Sequence, residues 1–134
     1  MLKQSFIFLS IVILFCNLNV PVLDAQANDE RQVVLNLFQY MQAGNTDAIL
    51  SIMTDPILSA KKPFFQKRSY SAFLKRHYNA ADLLIDKVER AGADRSSIDI
   101  RIDFKGEGPP LRTRFILVQD NGSWKISNEI TDAP

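Results

Sequence analysis

Cysteine and histidine are nearly absent from the 134-residue chain, with one of each. A single cysteine excludes an internal disulfide and any cysteine-rich zinc site, and a single histidine excludes His-rich metal centres. No charge of one sign dominates. Sixteen Lys and Arg against 15 Asp and Glu leave a net charge of +1, so no global field marks a nucleic-acid binder. Five glycines and six prolines are too few for a fibrous or low-complexity chain, and no internal repeat is visible. No residue pattern asks for a cofactor. What is present is 46% apolar and 23% charged residues, the balance of one ordinary folded domain.

The longest apolar run, Phe6 to Cys16 interrupted only by Ser10, is well short of the roughly 20 residues of a bilayer span. Lys3 ahead of it, Pro21 and Asp24 after it, and Ala25-Gln26-Ala27 give the pattern of a secretory signal over residues 1–27, cleaved after Ala27. The chain is thus expected to be exported, to a periplasm or the exterior, with residues 28–134 as a single domain. Leu14-Phe15-Cys16 resembles a lipid-attachment box, but Phe15 stands where a small residue is needed, which argues against a lipoprotein. Cleavage after Ala27 removes Cys16, leaving a cysteine-free chain suited to an oxidising compartment.

The mature segment reads as helices first. Asn28 or Asp29 caps a helix with Glu30 in its first turn and Val33, Val34, Leu37, Phe38 and Met41 on its apolar side. Gly44 stops it, and Asn45 or Thr46 caps a short second helix ending at Pro56. Residues 56–68, with two prolines and no clean period, read as loop. Ser69 caps a third helix with Tyr70, Phe73, Leu74, His77, Tyr78 and Ala81 along one face. From Leu83 the period becomes two. Leu83 to Arg90 is one strand, and Ile98, Ile100, Ile102 and Phe104 alternate with Asp99, Arg101, Asp103 and Lys105 in the next. Leu111–Gln119 and Ser123–Thr131 are joined at Asn121-Gly122, a strong hairpin signal. The expected fold class is α+β, three helices on a curved four-stranded antiparallel sheet.

The break Gly44-Asn45-Thr46-Asp47 within the helix pair Glu30–Met53, and the closing hairpin Asp120-Asn121-Gly122-Ser123-Trp124-Lys125-Ile126, resemble the nuclear transport factor 2-like superfamily over nearly the whole mature segment. The chain is most similar to small exported bacterial members of that group. The resemblance implies a cone-shaped α+β domain with a cavity between helices and sheet. It fixes no activity, because members include ketosteroid isomerases, polyketide cyclases and epoxide hydrolases.

A two-residue Asn121-Gly122 turn sets a register in which Trp124, Ile126, Asn128 and Ile130 share the core face with Leu117, Phe115 and Thr113. Glu129 then opposes Arg114 on the solvated face, with Arg112, Asp99, Arg101 and Asp103. Epoxide-hydrolysing members of the superfamily use an Arg and two Asp, and Arg101 and Asp103, with Asp99, carry a similar spacing. That role demands that the charges point inward and four large apolar residues outward, which costs about 25 cal/mol per Å² exposed. Isomerase chemistry needs a cavity acid with a Tyr and a second acid. This register places no acid on the inner faces of the last two strands.

The candidate ligand cavity therefore draws on Tyr40, Tyr70, His77, Tyr78, Thr113 and Asn128, around a core that includes Trp124. A second feature lies between Asp55 and Asp82, where there is no acid and six bases: Lys61, Lys62, Lys67, Arg68, Lys75 and Arg76. With Phe64 and Phe65 inside it, this stretch suits an anionic partner such as a membrane surface or an envelope polymer. An exported chain of near-zero net charge has little occasion to meet nucleic acid. The functional expectation is a non-enzymatic exported domain, monomer or homodimer, that binds a small molecule or an envelope protein. A cavity enzyme of isomerase, cyclase or epoxide-hydrolase type is the alternative.

Overall fold

A computed structural model of the full chain describes residues 20–106 and 108–131, with side chains from Asp29 onward. The expectation for residues 1–19 lies outside the described residues. Among the described residues four helices precede the sheet: α1 (Val20–Ala43), α2 (Thr46–Ser51), α3 (Ile57–Phe65) and α4 (Arg68–Tyr78). The strands β1 (Asp82–Arg90), β2 (Arg95–Asp103), β3 (Leu111–Asp120) and β4 (Ser123–Thr131) form one antiparallel meander in the order β1-β2-β3-β4. The class is α+β, as expected.

Four helix boundaries differ from the sequence reading, the first being that α2 stops at Ser51 and not at Pro56. α1 does not start at Asn28 or Asp29 but runs unbroken from Val20. Pro21 falls in its first turn, where a missing N–H costs nothing, and Ala25, Gln26 and Ala27 are helix formers. Residues 56–68 are not loop, because α3 occupies most of them. Pro56 is the residue before its first turn and Asp55 caps it, accepting from Ser59 N at 3.0 Å and Ser59 Oγ at 2.5 Å. These bonds hold the exposed Asp55 carboxyl below the usual carboxylate range. α4 begins at Arg68 after Lys67, so Ser69 is not its cap.

The core is built from one stripe of each element. Val34, Leu37 and Phe38 of α1, Ile49 of α2, Ile57 and Phe65 of α3 and Leu74 of α4 pack on Ile98, Ile100, Ile102, Phe115, Leu117, Trp124 and Ile126. Burying each large apolar side chain contributes about 1.5–3 kcal/mol, which decides the facing of β2. Its isoleucines are 0–3% exposed, and its charges lie on the other side. Gly44 (φ 65°) is buried where α1 meets α4; a Cβ there would stand 2.6 Å from Ser71 O. Asn121 and Gly122 both take positive φ, the hairpin turn their sequence specifies.

β4 departs from simple alternation. Asp120↔Ser123 through Leu117↔Ile126 follow the expected register, but Ile116 then pairs with Asn128, leaving Ser127 as a bulge. Ser127 Oγ donates to Ile116 O at 3.2 Å and fills the irregularity. The segment after α2 pins the strand just before it, with Ile126 N donating to Ile52 O at 2.9 Å and Thr54 N to Ile126 O at 2.8 Å. Beyond Ser127 every side chain is therefore on the face opposite to that expected. Glu129 opposes Phe115, while Ile130 opposes Arg114 and is 51% exposed.

Candidate functional site

The helices and the sheet enclose a cavity of about 140 Å³. Its wall is apolar, from Leu37 and Met41 of α1, Phe65 of α3, Leu74 of α4, and Ile102, Leu111 and Phe115 of the sheet. Its polar groups are few: Tyr70 and Tyr78 of α4, Thr113 of β3, Thr131 and Glu129 of β4, and Lys61 of α3. A chamber of this size suits a small occupant.

Lys61 Nζ lies 2.9 Å from Glu129 Oε1, and both side chains are about one third exposed, so the pair stands at the cavity's edge rather than its depth. Thr113 and Thr131 hydroxyls approach to 3.5 Å beside it. The Tyr78 hydroxyl is pushed up to about 12, first by burial, then by the nearby Tyr70 and the negative charge of Glu129. Tyr78 is therefore a protonated hydrogen-bond donor across the whole physiological range. An acceptor, an ammonium and a phenol thus share one largely apolar chamber with Tyr70, Thr113 and Thr131.

Of the cavity residues expected from sequence, Tyr70, Tyr78 and Thr113 line it. Tyr40 packs half-buried against the core and is not in the lining. His77 is exposed, stacked between Phe73 (5.2 Å) and Phe104 (4.6 Å) outside the chamber. Asn128 is also exposed, because the Ser127 bulge turns it outward; its Oδ1 accepts from Glu129 N at 2.9 Å. The expectation that β3 and β4 put no acid inside is overturned by the same bulge, which brings in Glu129. The register that buries Ile130 also buries the Asn128 amide among apolar neighbours, and a strand relieves that cost by slipping one residue.

Asp99, Arg101 and Asp103 all lie on the outer face. Asp99 accepts from Arg114 Nε at 2.6 Å and Nη2 at 3.0 Å, which holds its carboxyl below the ordinary range. Arg101 pairs with Asp86 at 2.9 Å, and Asp103 Oδ1 accepts from the Lys105 backbone at 2.9 Å. The pairing expected between Glu129 and Arg114 is replaced by Asp99–Arg114. A depression of about 220 Å³ lies over Asp86, Asp99, Arg112 and Arg114, and includes neither Arg101 nor Asp103. The three residues are thus not gathered into one chamber.

Glu30, expected in the first turn of the opening helix, lies in the interior of α1, which starts at Val20. It is fully buried, its carboxylate held by Arg90 and by the Ser96 hydroxyl, with Arg90 Nε at 2.5 Å. The Arg90 guanidinium also lies 5.3 Å from the centre of the buried Trp124 ring. Among the described residues, no group of His, Cys, Asp and Glu could hold a metal ion.

Among known proteins, no family model and no curated sequence matches this chain. Solved structures do. One is an NTF-2 like protein of unknown function from Shewanella oneidensis, 10% identical, covering 79% of this chain and 98% of its own (TM-score 0.57). Another, from Silicibacter pomeroyi and also an NTF-2 like protein of unknown function, is 12% identical over 81% of this chain and 96% of its own (TM-score 0.58). A domain of unknown function with a cystatin-like fold from Nostoc punctiforme is 10% identical over 80% of this chain and 76% of its own (TM-score 0.51). With helices packed on a curved four-stranded meander, this chain has the nuclear transport factor 2-like fold.

Proposed function

We propose that this domain binds a small, largely apolar molecule carrying one polar group, which the Glu129–Lys61 edge and the Tyr78 hydroxyl receive. One observation carries the reading: a carboxylate, an ammonium and a protonated phenol face an apolar chamber of about 140 Å³. Ligand-observed NMR with a panel of monocyclic phenols and carboxylic acids tests it. A hydrogen bond to a charged group is worth about 1.5–3 kcal/mol, so Glu129→Ala should weaken a bound phenol roughly ten-fold or more. Leu111→Trp, filling the chamber, should abolish binding while the fold persists. No saturable binding in the panel, or binding indifferent to both substitutions, would sink the proposal.

Glu129 also favours a second reading, proton transfer within the same cavity. The isomerase pattern calls for an acid and a tyrosine in one chamber, and Glu129 with Tyr78 supplies those two. The second acid of that pattern has no counterpart in the lining. Exchange of the α-protons of a small cyclic ketone in deuterated water, lost in Glu129→Gln, distinguishes this reading from binding alone.

Export is proposed with it, on the strength of the apolar run and Ala25-Gln26-Ala27. Glu30, the first deeply buried side chain described, follows the expected cut, so cleavage leaves it in the chain. The intact mass of exported protein should start at Asn28. A product keeping Cys16 with an attached lipid would refute this.

A further inference from the structure

The six bases of the acid-free stretch do not act as one group. Lys61 is taken by Glu129, and Lys62 stands close enough to Asp55 to help lower its carboxyl. Among the described residues Lys67, Arg68, Lys75 and Arg76 have no carboxylate within 4.0 Å, and all four are exposed. Arg68 and Arg76 stand two turns apart on the exposed side of α4, while Leu74 holds the opposite side in the core. Two large apolar residues accompany them. Phe64 is 52% exposed with Lys67 Nζ 5.3 Å from its ring centre, and Phe73 is 42% exposed one turn before Arg76.

We infer that the α3–α4 edge docks on an anionic lipid bilayer. The charge is complementary, the cations have no carboxylate partner among the described residues, and the two exposed phenylalanines supply an apolar component. An amphipathic helix lying in the headgroup layer has this composition, with basic side chains at phosphate level and aromatic ones dipping below. No helix among the described residues is long and apolar enough to cross a membrane, and the docking described here needs none. The inference does not rest on the cavity reading. The two meet at Tyr70, which lines the cavity and packs 5.5 Å from Phe73, so docking brings the cavity rim to the lipid surface.

Co-sedimentation of the full chain with mixed phosphatidylglycerol–phosphatidylcholine vesicles, against pure phosphatidylcholine vesicles, tests this. Each basic side chain near an anionic surface strengthens binding about five-fold. Preference for the anionic vesicles should therefore be large at low salt and fall as the salt rises. The triple variant Lys67→Glu, Arg68→Glu, Arg76→Glu should lose that preference with unchanged circular dichroism. The neutral variant Lys67→Gln, Arg68→Gln, Arg76→Gln, less disturbing to the fold, should show an intermediate loss. Phe64→Ser with Phe73→Ser should lower the binding that survives high salt. Any contribution from the apolar run near the N-terminus is common to all chains and cancels in these ratios. Equal binding to both vesicle types, a preference that survives charge reversal, or binding to a single-stranded oligonucleotide but to neither vesicle would overturn the inference.

Discussion

Two glutamates sit at opposite ends of the same sheet, and their surroundings give them different work. Glu30 lies by the β1–β2 and β3–β4 turns, fully buried, with Arg90 and Ser96 consuming its oxygens. Glu129 lies near the end of β4, one third exposed, facing a chamber and paired with a single lysine. A buried acid whose partners all come from the fold is an anchor, here tying α1 to the first hairpin. An acid on an open chamber, with one exposed partner, still has bonding capacity for a ligand. Similar residue type and similar ion pairing thus lead to opposite readings, decided by burial and by what the second oxygen meets.

The largest expected effect tests the anchor. Breaking a buried ion pair by removing one partner costs about 3–5 kcal/mol. Because Arg90 is about one third exposed, Glu30→Ala should fall near the lower end, about 3 kcal/mol in urea denaturation. Glu129→Ala, measured the same way, should cost less than about 1 kcal/mol, as partly exposed pairs do. Equal costs for the two would erase the distinction between anchor and site.

A smaller effect sharpens the electrostatics of the chamber. Tyr78 has its ionisation raised to about 12 in the folded chain, against 10.0 for a free phenol. A raised value means the folded state holds this proton more tightly than the unfolded one. Its contribution is fully present below about pH 10 and is lost as pH rises towards 12. Ultraviolet titration of wild type minus Tyr78→Phe should place the phenolate step near 12, and Glu129→Gln should move it down. A step near 10 in the difference spectrum would mean that the cavity is wet.

How much of this was legible beforehand depends on the strand. The facing of β2 could be read, although the strand runs over Arg95–Asp103 and so starts before Ile98 and stops short of Phe104 and Lys105. Ile98, Ile100 and Ile102 alternate with charged residues whose exposure would cost far more than any surface ion pair returns, so only one facing is tenable. β4 could be read only as far as Ile126. Its first half has a turn and a tryptophan to set register, whereas Ser127-Asn128-Glu129-Ile130 offers one apolar residue and no strict preference. There a bulge, held by Ser127 and by the backbone of Ile52 and Thr54, reverses the facing. Those partners lie more than seventy residues upstream, and no local pattern records them. The missed helix α3 has a related cause. Pro56 and Pro63 read as breakers, yet Pro56 falls just ahead of the first turn, where proline is tolerated, and Asp55 supplies the cap. Tyr70, Tyr78 and Thr113 were legible as cavity residues because helix and strand periods place them. Lys61 and Glu129 were not, since their meeting depends on α3 and the bulge together.

The central claim is that the bulge turns Glu129 into the cavity and Ile130 out of the core. Replacing Ile130 by aspartate measures this most directly. At an exposed position the substitution should change stability by no more than about 0.5 kcal/mol and leave Tm nearly unmoved. Under the regular register Ile130 would be a core residue, and Ile130→Asp would bury an unpaired charge and unfold the domain. An unfolded Ile130→Asp chain would contradict the account and return Glu129 to the solvent face.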